Sequence, residues 1–209
     1  MDSQSERYAF QRSDLVGGNV ILDLVNTVTG RRSRPTDWLE DYDRLLEWGA
    51  LTDAFDADAL RALERMHATE RRAAARALQR LRGLREAVYE VVAAAIRAEP
   101  APMDALASLE RHWKDAVNAA HLTIADGRAA ATLDLDASAL DFPRHILALA
   151  AFELLRTLPL ERTRECASPR CTWLFIDSSR GGQRRWCDMA TCGNQEKGRR
   201  HYQRKRTAR

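Results

Sequence analysis

Helical spacing dominates the pattern of hydrophobic and polar positions along the chain. Residues 19–28 form a dense apolar run that fits a buried helix slightly better than a strand. Thr36 and Asp37 are candidate caps for the helix that follows, and Pro143 can open the last helix of this part. Apolar residues recur every three to four positions in the further segments predicted to be helical: 37–51, 57–67, about 69–98, 103–119 and 145–158.

One segment alternates between apolar and polar residues instead. Residues 121–136 (HLTIADGRAAATLDLD) contain two alternating runs on either side of Asp126-Gly127, a dipeptide typical of a tight β-turn. This is the one β-hairpin predicted in the first part of the chain. The pattern therefore predicts an α+β fold with a mainly helical N-terminal domain.

Charge divides the chain into two unequal parts. Residues 1–160 hold 20 basic and 25 acidic residues, whereas 161–209 hold 13 and 5, a net charge of +8. Such asymmetry is typical of proteins that bind nucleic acid. The longest apolar run, 146–155, is about half of the ~20 residues that a transmembrane helix needs, and the first residues do not resemble a secretory signal. We therefore expect a cytoplasmic protein that does not contact membranes.

All four cysteines lie in the basic segment, in two matched pairs. Four residues separate Cys166 from Cys171 and Cys187 from Cys192, and fifteen residues separate the pairs. A reducing compartment disfavours disulfides, so this spacing indicates a single metal site. Four thiolates suit one tetrahedral, structural Zn²⁺ with Zn–S distances of about 2.3 Å. Iron–sulfur ligation, two disulfides and four unrelated thiols are the alternatives.

The residues around the cysteines predict a small treble-clef-like module. Pro169 turns the chain inside the first pair, 172–179 is a β-prone run, 180–185 forms a turn, and a polar, basic helix runs over 188–206. A knuckle, a hairpin and a helix whose first turn supplies ligands make up the treble-clef arrangement. We expect this module to pack against the helix predicted over 145–158.

Three aromatic residues of the module, Trp173, Phe175 and Trp186, have two interpretations. They form a small core around the metal and against the preceding helix, or they stack on unpaired bases. The first interpretation is favoured. Because four cysteines already complete the metal site, His201 is expected to face solvent or the backbone.

Residues 166–194 resemble a known family. The stretch C-x4-C-x-W-L-F-x-D-x-S-R, followed by R-R-W-C-x-M-A-x-C-G-N, resembles the CGNR zinc finger of bacterial transcription regulators. Two earlier runs, GGNVILDLVNT (17–27) and DYDRLLEWG (41–49), resemble the ABATE domain that precedes this finger in the family. The resemblance implies an ABATE-like domain over 1–160, suspected of ligand sensing, and a finger over 161–209.

The family motif has an arginine where this chain has Gln195. Arg199 or Arg200 could take over a role of that arginine in contacting phosphate or in pairing with an acid. Lys197, Arg200 and Arg204 share one helical face by their spacing. The candidate phosphate contacts are Arg180, Arg184, Arg185, Lys197, Arg199, Arg200, Arg204, Lys205 and Arg206.

Two further interpretations of the basic helix remain open. Asn194, Gln195 and Gln203 could reach adenine edges in a DNA groove. Alternatively, the helix is a solvated C-terminal element whose basic end suits the helix dipole.

A polar cluster lies in the first predicted helix. Asp23, Asn26 and Thr27 are three and four residues apart, so they converge on one side of a helix among apolar neighbours. Such a cluster is a structural hydrogen-bond network or a ligand pocket, and the structural interpretation is favoured.

The sequence shows no catalytic signature. G-x-S-x-G, H-E-x-x-H, P-loop and G-x-G-x-x-G motifs are missing, and the five histidines are scattered, so we do not expect an enzyme. The leading hypothesis is a zinc-dependent transcription regulator that binds duplex DNA and whose first domain binds a small-molecule effector or forms a homodimer. An RNA- or ribosome-associated protein is one alternative. A small-molecule-binding domain with a finger for protein contacts is the other.

Overall fold

The computed structural model describes residues 8–125 and 127–207; at 125, 200–202 and 204–207 it describes the backbone alone. Eight α-helices occur in this part of the chain: α1 (Val20–Val25), α2 (Tyr42–Gly49), α3 (Ala57–Thr69), α4 (Arg71–Ile96), α5 (Met103–Ala119), α6 (Leu135–Ser138), α7 (Phe142–Thr157) and α8 (Asn194–Thr207). None of these described helices is long and apolar enough to cross a bilayer.

Six short strands form three antiparallel pairs within the described residues. They are β1 (Val28–Thr29) with β2 (Thr36–Asp37), β3 (Ala120–Ala125) with β4 (Arg128–Leu133), and β5 (Thr163–Glu165) with β6 (Leu174–Ile176). The fold is therefore mainly helical with small hairpins, as the sequence predicts.

The longest helix, α4, is the central element, because α1, α2, α3, α5 and α7 all pack against it. Its apolar stripe includes Leu81, Leu84 and Val88, all almost fully buried. The short helix α1 contributes Ile21 and Leu22, which have no exposed surface. Burying side chains of this size stabilises the fold by about 1.5–3 kcal/mol each. Helix α1 is thus fixed in the core although it has only six residues.

The helical prediction is confirmed, with boundaries that differ by a few residues: α7 begins at Phe142 rather than at 145, and α1 ends at Val25 rather than at 28. α5 has the predicted bounds. α2 begins at Tyr42 rather than at 37, because the Asp41 carboxylate caps it by accepting a hydrogen bond from the Arg44 backbone N–H at 2.9 Å. The predicted caps, Thr36 and Asp37, lie instead in β2, where they pair with β1.

The first part holds one predicted and one unpredicted hairpin. The β3–β4 pair confirms the hairpin expected from alternation, with Gly127 of its turn at a φ of 73°. Asp126 lies outside the described residues. The β1–β2 pair was not predicted, because two-residue strands carry too little alternation to recognise. Its connection begins at Gly30, which has a φ of 71°.

The C-terminal module differs from the expected strand order. β5 precedes the first cysteine pair and β6 follows it, so the hairpin encloses this pair instead of coming after it. The second pair lies at a single turn of π-helix, Met189–Gly193, which continues directly into α8. The basic helix predicted from the sequence is therefore present, and its regular part begins at Asn194.

The module docks on the start of the first part, and its strand β5 also packs against α4. The Asn26 side chain donates to the Leu174 carbonyl at 2.9 Å and accepts from the Leu174 N–H at 2.8 Å. The Ile176 N–H donates to the Gly17 carbonyl at 2.9 Å. β6 packs against α1, and Leu174 lies in the same hydrophobic cluster as Leu147 and Leu154 of the helix predicted to receive the module.

Candidate metal centre and nucleic-acid interface

The fold brings the four cysteine sulfurs together. The Sγ atoms of Cys166, Cys171, Cys187 and Cys192 all lie within 4.8 Å of one another. The Sγ atoms of Cys171 and Cys187, and those of Cys187 and Cys192, are 3.6 Å apart. Disulfide sulfurs lie about 2.05 Å apart, whereas ligands about 2.3 Å from a tetrahedral ion lie about 3.8 Å apart. The geometry therefore fits a metal site and not two disulfides.

Electrostatics also favour a cation among these sulfurs. Three of the cysteines are buried and Cys192 is half-buried. Hydrogen bonds from Cys171 and Cys187 hold the pKa of Cys166 well below its usual range, and the hydrogen bond with Cys166 raises the pKa of Cys187. The thiols thus cannot all ionise by themselves. A divalent cation removes this conflict, because it binds cysteines as thiolates.

Local hydrogen bonds shape the knuckle, which is the first cysteine pair and the turn between its two members (166–171). The Cys171 N–H donates to the Ser168 carbonyl at 3.0 Å, which closes the turn between the two cysteines. The Cys166 N–H donates to the Trp173 carbonyl at 2.8 Å, across the end of the β5–β6 pair. Thr172 has a φ of 68°, an uncommon conformation for a β-branched residue. These contacts aim both thiols at one point.

The second pair is positioned by a cap and a glycine. The Asp188 carboxylate accepts hydrogen bonds from the Thr191 N–H at 2.8 Å and from its hydroxyl at 2.9 Å. A Cβ on Gly193 would lie 2.6 Å from the Met189 sulfur and 3.2 Å from Trp186 Cδ1. The turn between Cys187 and α8 is therefore tightly packed.

The aromatic residues of the module form its core. Phe175 is fully buried, and Trp173 and Trp186 pack beside it and the cysteines. Val16 of the first part joins this cluster, rather than a residue of α7. The expected small core is present around the cysteines, and within the described residues of this cluster none comes from α7.

A buried glutamate links the knuckle to α8. Glu196 is 4% exposed. Its Oε1 accepts a hydrogen bond from the Ser168 hydroxyl at 3.3 Å, and its Oε2 forms an ion pair with Arg199 at 2.8 Å. Arg199 thus takes the acid-pairing role considered for it in the sequence. Sequence reasoning missed Glu196, because its partner Ser168 is 28 residues away.

The predicted nucleic-acid contacts differ in exposure, and Arg199 is exposed although it is paired with Glu196. Arg180, Arg185 and Lys197 are exposed, and the Arg185 guanidinium lies 5.4 Å from the Trp186 ring. Asn194, Gln195 and Gln203 are also exposed on α8. The side chains of Arg200, His201, Arg204, Lys205 and Arg206 lie outside the described residues, although their backbone belongs to α8.

Arg184 has a different environment from the other predicted contacts. Its guanidinium donates to the carbonyls of Trp186, at 3.0 Å, and Cys187, and lies 4.7 Å from the Phe175 ring. Its backbone N–H donates to the Asp177 carboxylate at 2.8 Å. Arg184 thus braces the loop that leads to the second cysteine pair.

Asp177 is a second anchor that sequence reasoning missed. Hydrogen bonds from Ser179 and from the Arg184 backbone hold the pKa of this buried carboxyl at about 2. The D-x-S spacing is a local turn signal that could have identified it.

The polar cluster of α1 serves the structure. The Asp23 carboxylate accepts from the Gly17 N–H at 2.7 Å, and Asn26 holds Leu174. The Thr27 hydroxyl donates to the Leu24 carbonyl at 2.7 Å and accepts from Arg85 at 3.1 Å. These contacts form a hydrogen-bond network within the protein, which is the structural interpretation favoured from the sequence. The same three side chains also line a cavity of about 610 Å³.

A helical domain joined to a four-cysteine module defines a zinc-finger protein. The CGNR zinc finger model matches residues 162–205, and the ABATE model, described as putative stress-induced transcription regulator, matches residues 18–158, more than half of the chain. The chain therefore belongs to the ABATE family and carries a CGNR zinc finger. No curated protein matches it.

Proposed function

We propose that the protein is a transcription regulator that binds duplex DNA through its zinc finger, and that it is not an enzyme. One structural Zn²⁺ is held by the four cysteines. The observation that supports this proposal most directly is the position of the basic helix: α8 follows the second cysteine pair without a linker. A metal at the cysteines would therefore fix the orientation of α8.

The ligand set explains why the zinc is structural. Four cysteine ligands complete a tetrahedral site and leave no open position for water or substrate. The ion therefore contributes folding free energy and holds the knuckle against α8, and the chain's own side chains make the external contacts.

The proposed DNA surface combines the loop before the second cysteine pair with α8. Arg180 and Arg185 lie on the loop and Lys197 on the first turns of α8, and all three are exposed. Arg200 and Arg204 follow Lys197 at helical spacing. Each cation placed on a phosphate releases condensed counterions, so binding will weaken steeply as salt rises. Arg184 is left out of this surface, because its guanidinium is bound within the loop.

The test measures binding of the zinc-loaded protein to random duplex DNA across a salt series. We expect affinity typical of non-specific binding, with a dissociation constant between about 10⁻⁴ and 10⁻⁶ M at physiological salt. The double variant Arg200→Glu/Arg204→Glu will bind more weakly, and its slope of log affinity against log salt will be shallower by about 2.

A matched control is Arg72→Glu/Arg76→Glu, because it makes the same charge change on two exposed positions of α4. This variant should bind DNA like the wild type. Absence of binding tighter than about 10⁻⁴ M, or an equal loss in both double variants, contradicts a specific role for α8. Structured RNA as competitor separates the alternatives: if it displaces DNA at lower concentration than duplex DNA does, the protein is an RNA-binding one.

A further inference from the structure

A cavity of about 610 Å³ lies between segment 8–16, α1 and the zinc finger. This volume falls in the range of about 300–1,000 Å³ that is common for small-molecule sites. The two parts of the chain share its wall, since Trp38 and Trp48 come from the first part and Trp173 and Gln195 from the finger.

Aromatic rings make up much of this wall. Tyr8 and Trp38 lie with ring centroids 5.0 Å apart. The indole N–H groups of Trp38 and Trp173 both donate to the Thr29 hydroxyl, at 2.9 and 3.1 Å. Because their N–H groups are already paired, the two indole rings present only apolar surface to the cavity. Such a wall suits a flat aromatic body or a cation held against ring faces.

A buried carboxylate supplies the polar anchor. Asp23 lines the cavity and is 8% exposed. Its Oδ1 accepts the Gly17 N–H at 2.7 Å, and no hydrogen bond to Oδ2 occurs within the described residues. The Asp23 side chain as a whole is buried, and a charged group with so little solvent around it is costly to leave without a partner. Oδ2 is therefore an acceptor available to a ligand that donates a hydrogen bond.

The remaining charges of the wall favour a cationic ligand over an anionic one. Asp14 and Asp188 line the cavity besides Asp23, whereas Arg170 is the basic residue among the described lining residues. Asp14 accepts from the Tyr8 hydroxyl at 2.7 Å, and Asp188 caps the turn before α8. The Asp14 carboxylate is occupied at both oxygens, because Oδ2 accepts from the Gln11 N–H as well. Asp188 is only half-buried, so water competes for its second oxygen, whereas Asp23 is the buried carboxylate of the described wall and is therefore the anchor.

We propose that this cavity binds a small aromatic amine, with its ring against the Tyr8, Trp38 and Trp173 side chains and its amino group donating to the Asp23 carboxylate. A ligand in this position contacts the first part and the finger at once. It therefore favours the docked arrangement of the two, since a ligand stabilises the state that it binds. The binding site itself does not rest on the proposed DNA binding, because it is tested without nucleic acid.

Isothermal titration calorimetry of the zinc-loaded full chain tests the proposal with three probes that share one ring. Tryptamine carries the amine, indole lacks it, and indole-3-acetate replaces it with a carboxylate. We expect tryptamine to bind more tightly than indole, and indole-3-acetate to bind most weakly. Asp23→Asn should weaken tryptamine about tenfold or more while leaving indole unchanged, because it removes a charge-assisted hydrogen bond.

Two further variants keep the outcome interpretable. Asp136→Asn makes the same change at an exposed position and should leave all three affinities unchanged. Tyr8→Ala removes a wall residue that is 43% exposed, so it should weaken tryptamine and indole alike without disturbing the core. The proposal is overturned if tryptamine does not bind, if the amine and the carboxylate bind equally, or if neither Asp23→Asn nor Tyr8→Ala changes the affinity.

Discussion

Asp23 is a carboxylic acid that the fold buries within α1. Burial raises the pKa of Asp23 to about 6, although the Gly17 N–H partly offsets the shift. In the unfolded chain this carboxyl ionises near pH 4. Between about pH 4 and 6 the unfolded state therefore loses a proton that the folded state keeps, so the free energy of unfolding falls as pH rises through this window. A shift of about two pH units corresponds to roughly 3 kcal/mol.

Asp23→Asn removes this decline, because an amide does not ionise. Urea unfolding of wild type and variant from pH 4 to 7 measures the effect. The free energy of unfolding of the variant should gain up to about 3 kcal/mol relative to wild type as pH rises from 4 to 7. Acid-induced loss of metal cancels in this difference, since both proteins keep the same cysteines. Parallel curves, or the same gain in Asp136→Asn, would contradict the prediction.

Residue-scale prediction from sequence succeeded where the signal was local in the chain. The cysteines could be identified from two matched spacings, and the structure brings their sulfurs together. Glu196 could not be identified, because its burial depends on Ser168 in a distant turn. Arg184 looked like its exposed neighbours in sequence, and only the path of the loop shows that its guanidinium turns inward.

At the scale of elements, α1 and β6 are linked by one side chain. The Asn26 amide pairs with both backbone groups of Leu174, as a neighbouring strand would. Asn26→Ala leaves a buried N–H and a buried carbonyl unpaired, and each costs about 1–3 kcal/mol. We expect the variant to lose roughly 2–6 kcal/mol of stability, with proteolysis of the finger accelerating before that of the helical part.

Limited proteolysis together with urea unfolding checks this expectation. Asn118→Ala serves as the control, because Asn118 is exposed on α5. A change below about 0.5 kcal/mol in Asn26→Ala, the usual range for a surface substitution, would show that the link contributes little.

Elements were predictable in proportion to their length. The period of 3.6 residues identified the helices, because it repeats several times within each of them. The start of α2 was misplaced because Asp37 and Asp41 are both plausible caps by sequence, and the pairing of β2 with β1 decides between them. β5 was not predicted, since three residues form a strand only through pairing with β6 across the cysteine knuckle.

The whole molecule contains two hydrophobic clusters with different sources of stability. The large cluster is made by the helices and includes Leu174 of β6. The small cluster consists of Cys166, Cys171, Phe175 and Cys187 with a few neighbours, and it has too few apolar residues to hold a fold by itself. Structural zinc contributes on the order of 10 kcal/mol to small domains of this kind. The finger should therefore depend on metal, whereas the helical part should not.

Metal removal separates these two sources of stability. Purified protein should contain about one zinc per chain, and Cys171→Ser should contain none, because three thiolates bind zinc much less well than four. Circular dichroism of the variant should show loss of the α8 contribution with most helical signal kept, since α1–α7 bury their own core. Ser178→Ala, an exposed change in the same module, should keep both the metal and the signal. A coloured, iron-containing protein would contradict the zinc assignment. Complete unfolding of Cys171→Ser would show instead that the helical part cannot stand without the docked finger.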